Sequence, residues 1–168
     1  MNQVLMVLCM TALLSGCATA PHETTPPRKV STVSYRWSAP EPAVSSSFVW
    51  PVRGFVISGF GDKVNGVINK GIDIRVEEGT AVRAAKSGKV VYCDPYMKGF
   101  GKTIILDHGA GYQTVYAYNS DIFVKLGDQV QQHSVIANVG STGRAKEPSL
   151  HFEIRRNGEP QNPKVYLR

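Results

Sequence analysis

Residues 148–155 read PSLHFEIR. Apolar and polar side chains alternate from Leu150 to Arg155, the period of a β-strand, in which successive side chains face opposite ways. This pattern predicts a strand that sends Leu150, Phe152 and Ile154 into a core. The opposite face carries Ser149, His151, Glu153 and Arg155, and the alternation places that polar row at a sheet surface. A histidine there could be half of a metal site, the relic of one, or an ordinary solvated residue.

Working outward, the same texture repeats. GFVISGF, GIDIRV, TAVRAA, GKVVYC, KTIILDHG, QTVYAY, IFVKL and SVIANV are short, rich in β-branched residues, and separated by glycines such as Gly79, Gly88, Gly109 and Gly127. Such segments read as strands punctuated by turns. No stretch sustains a 3.6-residue period. The expectation over residues 48–168 is therefore an all-β domain, an antiparallel sandwich or barrel-like sheet.

The first 47 residues are of other material. VLMVLCMTALL, residues 4–14, is uncharged and apolar; it is too short to span a bilayer, which takes about 20 residues, and suits a signal-peptide core. LSGC follows at 14–17 and resembles a lipoprotein box, implying a signal of residues 1–16, cleavage before Cys17 and lipid on Cys17. The segment before the apolar run, MNQ, lacks Lys and Arg, and a buried N-terminal strand is the alternative. Residues 17–47 hold Pro21, Pro26, Pro27, Pro40 and Pro42 among many Ser and Thr, a composition that reads as an extended tether. With Cys9 removed and Cys17 lipidated, Cys93 stands alone, so no intrachain disulfide forms. The net charge of +6 comes without a basic run or RNA-binding motif, so nucleic acid is not expected as a partner; anionic envelope surfaces or an acidic protein fit as well.

WPVRG, NKGIDI, EEGTAVRAAKSGKVV, GFGKTIILDHGAGYQTVYAYN, VKLGDQVQQHSVIANVGSTG and SLHFEIRRNGEPQNP occur in this order. Together, over residues 50–168, they resemble the LytM domain of the lysostaphin-type zinc endopeptidases. That resemblance implies an antiparallel β-sheet with a groove. In members that cut peptidoglycan, zinc is held by the His and Asp of H-x-x-x-D and the second His of H-x-H. The first His of H-x-H and the His of Y-x-H serve the chemistry. A catalytic zinc takes three protein ligands and keeps one position for water, whose pKa it lowers.

Here that set is broken. N-K-G-I-D puts Asn69 at the first ligand and keeps Asp73. Y-A-Y puts Tyr118 at one chemical histidine. S-L-H puts Ser149 at the other and keeps His151. A neutral amide is a poor zinc ligand beside imidazole, and neither Tyr nor Ser is a good proton shuttle near neutral pH. His108 and His133 fall elsewhere in the motif order, the first read as a strand-end structural residue and the second as a surface one. The expectation is no metal, no cofactor and no catalysis, with His151 retained as a groove residue.

A retained fold with lost chemistry resembles the murein-hydrolase activators, LytM factors of cell division. The resemblance implies a periplasmic N-acetylmuramoyl-L-alanine amidase as partner, a helix of which docks in the groove and thereby relieves autoinhibition. It also implies an outer-membrane anchor facing the periplasm and enrichment at the division site. The groove maps to Lys70, Asn69 and Asp73 on one wall and Phe100 and Thr103 on another. Tyr116, Tyr118, Ser149, His151 and Arg155 form the floor and far side. Arg155 ends the polar row as a surface cation whose replacement should change stability little. Two other readings stay open: an unusual zinc endopeptidase, and a structural lipoprotein that binds peptidoglycan or a division protein.

Overall fold

The structure is a computed structural model that describes residues 47–64 and 66–168. The expected signal segment, Cys17 and the expected tether up to residue 46 lie outside the described residues. The strands, in order, are β1 (Phe55–Ser58), β2 (Lys63–Val64), β3 (Val67–Ile68), β4 (Ile72–Arg75), β5 (Ala81–Arg83), β6 (Gly88–Met97), β7 (Gly101–Asp107), β8 (Tyr112–Ile122), β9 (Gln129–Val130), β10 (Val135–Val139), β11 (Ser149–Arg156) and β12 (Glu159–Gln161). The only helix among the described residues is a 3-10 turn at Pro163–Val165, capped by the Asn162 side chain.

Ten strands form one sheet in the order β1-β4-β11-β8-β7-β6-β9, with β10 joining β8 to β5 and β12 beside β11; β2 and β3 make a separate hairpin. Every pairing between strands is antiparallel, as short sequential strands joined by glycine turns allow. The sequence reading of an all-β antiparallel domain holds.

The register explains the core. Phe152 stands opposite Ile72 on one side and Tyr116 on the other, Leu150 opposite Ile74, and Tyr116 opposite Ile104. These side chains share one face and are fully buried. Burial of a Leu, Ile or Phe side chain contributes roughly 1.5–3 kcal/mol, so this layer is the main source of stability.

The expectation for the other face of β11 is corrected. Ser149, His151 and Glu153 are as buried as their apolar neighbours. β11 lies centrally, between β4 and β8, and its polar face is covered in turn. The Phe100 ring meets the His151 imidazole edge-on at 5.2 Å, and the Tyr118 ring lies 5.3 Å from it. Alternation identified the two faces correctly, but the second is roofed by residues distant in sequence.

Candidate functional site

The site begins with a cross-strand pair. His151 on β11 stands directly opposite Asp73 on β4, and their side chains meet at 2.6 Å between Nδ1 and Oδ1. Asn69 reaches the same carboxylate from the segment entering β4. Its Nδ2 donates to Asp73 Oδ2 (3.2 Å) and to Ser58 Oγ (2.8 Å), and its Oδ1 accepts the Gly71 N–H (3.0 Å). That segment lies so close to β11 that a Cβ at residue 71 would fall 2.1 Å from the Phe152 carbonyl oxygen. Gly71 is therefore what permits the approach.

The chain of contacts continues inward. His151 Nε2 lies 3.0 Å from Glu153 Oε1. Glu153 Oε2 accepts from Arg155 Nε at 2.7 Å and pairs with Nη2 at 2.6 Å. A carboxylate only accepts, so an imidazole flanked by two carboxylates donates from both nitrogens and is the charged form. Burial opposes that charge, but the hydrogen bonds and charges of Asp73 and Glu153 outweigh it and hold the His151 pKa above its ordinary value. Burial likewise opposes the charge on Glu153, yet His151 and Arg155 together bring its pKa below the usual carboxylate range. Asn69, Asp73, His151, Glu153 and Arg155 thus form one satisfied polar network inside the sheet, as buried polar groups require.

This network does not fit a zinc ion. A ligating imidazole is neutral with a free lone pair, whereas both His151 nitrogens are engaged with carboxylates. The third position offers an amide whose oxygen already accepts a backbone N–H. Among the described residues no group of three or more His, Cys, Asp or Glu is placed to hold a metal.

Above the network lies a second group. Tyr118 sits at φ +69, in the left-handed region unusual for a side-chain-bearing residue. Its N–H donates to the Phe100 carbonyl (2.9 Å), and its hydroxyl accepts from Arg144 Nε (3.1 Å). Burial raises the Tyr118 pKa, against the lowering effect of the Arg144 bond, so the phenol stays protonated near neutral pH. The Arg144 guanidinium lies over the Phe100 ring, 5.2 Å from its centre, in cation–π range. Arg144 was not identified from sequence. The signal that could have found it is the glycine pair Gly101 and Gly143. Each has positive φ, and a Cβ on either would meet the other's backbone within about 2.7 Å, so the loop carrying Arg144 must pack onto the Phe100 turn.

A groove of about 310 Å³ opens beside these groups, lined by Asn69, Asp73, Tyr118 and Ser149 on its floor, by Ile57, Ser58 and Val67 on one wall, and by Arg144 to Glu147 on the other. Ile57 and Val67 are 42% and 47% exposed, so these two residues offer open apolar surface on that wall. The substituted positions of the sequence motif therefore do meet in one groove.

Four residues expected in the groove, Tyr116, Thr103, His151 and Arg155, are placed otherwise by their burial and partners. Tyr116 points into the core against Phe152, 5.3 Å between rings, and its hydroxyl accepts the Ala85 N–H; burial pushes its pKa up to about 12. Thr103 is fully buried and its hydroxyl is taken by the Gly101 carbonyl. His151 lies beneath Phe100 and Tyr118 with 1% exposure. Arg155 is not a free surface cation but the counter-ion of buried Glu153. Lys70 and Phe100 are outside the groove lining. His108 is structural, bridging the Ser87 carbonyl and Thr114 Oγ1. His133 is exposed.

Comparison with known proteins agrees with this geometry. Residues 67–163 match the profile of Peptidase family M23. The chain belongs to that family. Within it, the chain is 40% identical over 119 residues to Murein hydrolase activator EnvC of Escherichia coli, covering 70% of this chain and 28% of that protein. It is 42% identical over 126 residues to the Lipoprotein NlpD/LppB homolog of Pseudomonas aeruginosa, covering 75% of this chain and 41% of that protein. Among solved structures, the antimicrobial peptidase lysostaphin from Staphylococcus simulans superposes with a TM-score of 0.60 at 32% identity, over 65% of this chain and 47% of that one. The chain spans less than half the length of these curated relatives. The chain is thus similar both to proteins named as murein hydrolase activators and to one named as a peptidase.

Proposed function

We propose that this chain is a non-catalytic activator of a periplasmic N-acetylmuramoyl-L-alanine amidase, anchored to the outer membrane by lipid on Cys17. A helix of the amidase docks in the groove of Asn69, Asp73, Tyr118 and Ser149, and its departure from the amidase's own site relieves autoinhibition there. The outcome is the splitting of septal peptidoglycan and separation of daughter cells. The observation that carries this reading is the closed network. Asp73 and His151 bind one another and are sealed by Asn69 and Glu153, while the groove above keeps an open apolar wall at Ile57 and Val67. Helix-in-groove recognition needs only such a wall and a few oriented polar groups. Energetically, the activator has only to bind the open amidase better than the closed one.

Dye release from labelled murein tests this, with the amidase alone, the chain alone and the two together. Release is expected only from the pair. Ile57→Glu with Val67→Glu, both at exposed positions, should abolish activation without changing the thermal melt. Release by the chain alone would make it an enzyme; normal activation by the double variant would move the docking surface elsewhere.

A further inference from the structure

Arg144 lines the groove beside Tyr118, and it is held unlike the other arginines near the site. Arg75 is paired with Glu147, and Arg155 with buried Glu153. Arg144 forms no ion pair with an Asp or Glu among the described residues. Asp73 and Glu147, which line the same groove, are already taken. Asp73 meets His151 and Asn69, and Glu147 meets Arg75. The groove therefore carries a guanidinium whose charge the fold leaves unmatched.

That guanidinium is nonetheless fixed in place. Its Nε donates to the Tyr118 hydroxyl at 3.1 Å, and the group lies over the Phe100 ring, 5.2 Å from its centre. The Arg144 backbone N–H donates to the Gly99 carbonyl at 3.2 Å, which ties the loop to the turn that carries Phe100. Tyr118 presents its phenol from a backbone at φ +69, a conformation that a bulky residue keeps only where its surroundings enforce it. With Nε engaged, neither Nη atom of Arg144 has a hydrogen-bond partner among the described residues. The two Nη groups of a guanidinium form one edge of its donor fork, and that edge matches the two oxygens of a carboxylate.

We infer that Arg144 is the specificity-determining residue of this groove and pairs with an Asp or Glu side chain on the helix that docks there, with Tyr118 as its positioning residue. The inference rests on the amidase reading of the groove and adds the chemistry of the docking segment. Ile57 and Val67 offer open apolar surface on the other wall, so the segment presents apolar side chains together with its carboxylate. A helix does this with residues three or four positions apart, which share one face. A small free anion would pair with the guanidinium and leave that apolar surface uncovered. Because the phenol and the ring already hold Arg144, little side-chain freedom is lost when the pair forms.

The test combines calorimetric binding with dye release, using the full-length protein in neutral detergent and the purified amidase of the activation assay. Arg144→Gln should weaken binding about tenfold or more, the scale of one charge-assisted pair. Arg144→Lys keeps the charge but not the fork and should recover only part of the loss. Tyr118→Phe keeps the ring and releases the guanidinium, and should weaken binding severalfold. Raising salt from about 0.05 to 0.5 M should weaken wild type more than Arg144→Gln, a difference that a purely structural arginine would not produce. On the amidase, each exposed helical Asp and Glu is changed singly to Gln. One such variant should bind the wild-type chain as weakly as Arg144→Gln binds the wild-type amidase, with little further loss when the two are combined. That scan uses the unaltered activator, so it stands even where Arg144→Gln melts early. An amidase that neither binds nor responds to the wild-type chain overturns the amidase reading and this inference together. Activation by wild type with unaltered affinity of Arg144→Gln, or with no amidase carboxylate coupled to Arg144, overturns this inference alone. Loss of retention on purified murein sacculi by Arg144→Gln, with its amidase affinity unchanged, assigns the cation to the wall polymer and overturns it as well.

Discussion

Arg155→Ala should unfold the domain more readily by an amount far above that of an ordinary surface substitution. Glu153 has no solvent exposure, and its carboxylate is shared between His151 on one oxygen and Arg155 on the other. Removing one partner of a buried ion pair costs about 3–5 kcal/mol. Here the Arg155 side chain is 25% exposed, so water can enter the space it leaves, and His151 still holds the first oxygen. The expected loss is therefore lower, roughly 2–3 kcal/mol, or about 10 °C in Tm. Arg75→Ala is the internal control. Its pair with Glu147 is 3.5 Å long with both side chains about half exposed, and such pairs contribute less than about 1 kcal/mol. Urea unfolding of wild type, both single variants, Glu153→Gln and the Arg155→Ala/Glu153→Gln pair gives the coupling directly. It should come out at roughly 1–2 kcal/mol, as contacting residues of one network do not add. A melt of Arg155→Ala within about 1 °C of wild type would refute the claim that this arginine holds the buried network together. The consequence for function is practical: any loss of activation in an Arg155 variant must be separated from loss of fold.

The purified protein should carry no stoichiometric zinc, and Asn69→His, which places an imidazole beside Asp73 and His151, should raise metal content in elemental analysis without restoring hydrolysis while Tyr118 and Ser149 remain. A wild-type preparation with about one tightly held zinc per chain would sink that account of the site. The pH dependence of stability should show an acid limb from His108. Burial, offset in part by its bond to the Ser87 carbonyl, lowers its pKa below the ordinary 6.5, so the unfolded chain takes up the proton first. Its contribution is complete above about pH 6.5 and is lost as pH falls from there toward the lowered folded value. His108→Asn should flatten Tm below about pH 6.5 relative to wild type, the difference isolating His108 because His151 titrates in both; parallel curves would exclude this assignment.

Much of this protein is local in origin, and so legible in its sequence. Strand periodicity depends only on alternating side chains, which is why Leu150, Phe152 and Ile154 were assignable to the core without coordinates. The resemblance carried by the ordered motifs implied that Asn69, Asp73, Tyr118, Ser149 and His151 belong to one constellation, because a shared fold brings the same motif positions together. What alternation could not decide was what lies over the second face. Phe100 and Tyr118 roof His151 from β8 and the turn before β7, and Arg144 arrives from a loop whose approach depends on two glycines forty-two positions apart. Burial of the polar row, and with it the change of Arg155 from solvated cation to buried counter-ion, follows from that long-range packing. Charge alone could not reveal how the arginines are matched either, because an arginine's partner is set by distances across the fold. Only tertiary structure shows which guanidiniums are matched by carboxylates or rings.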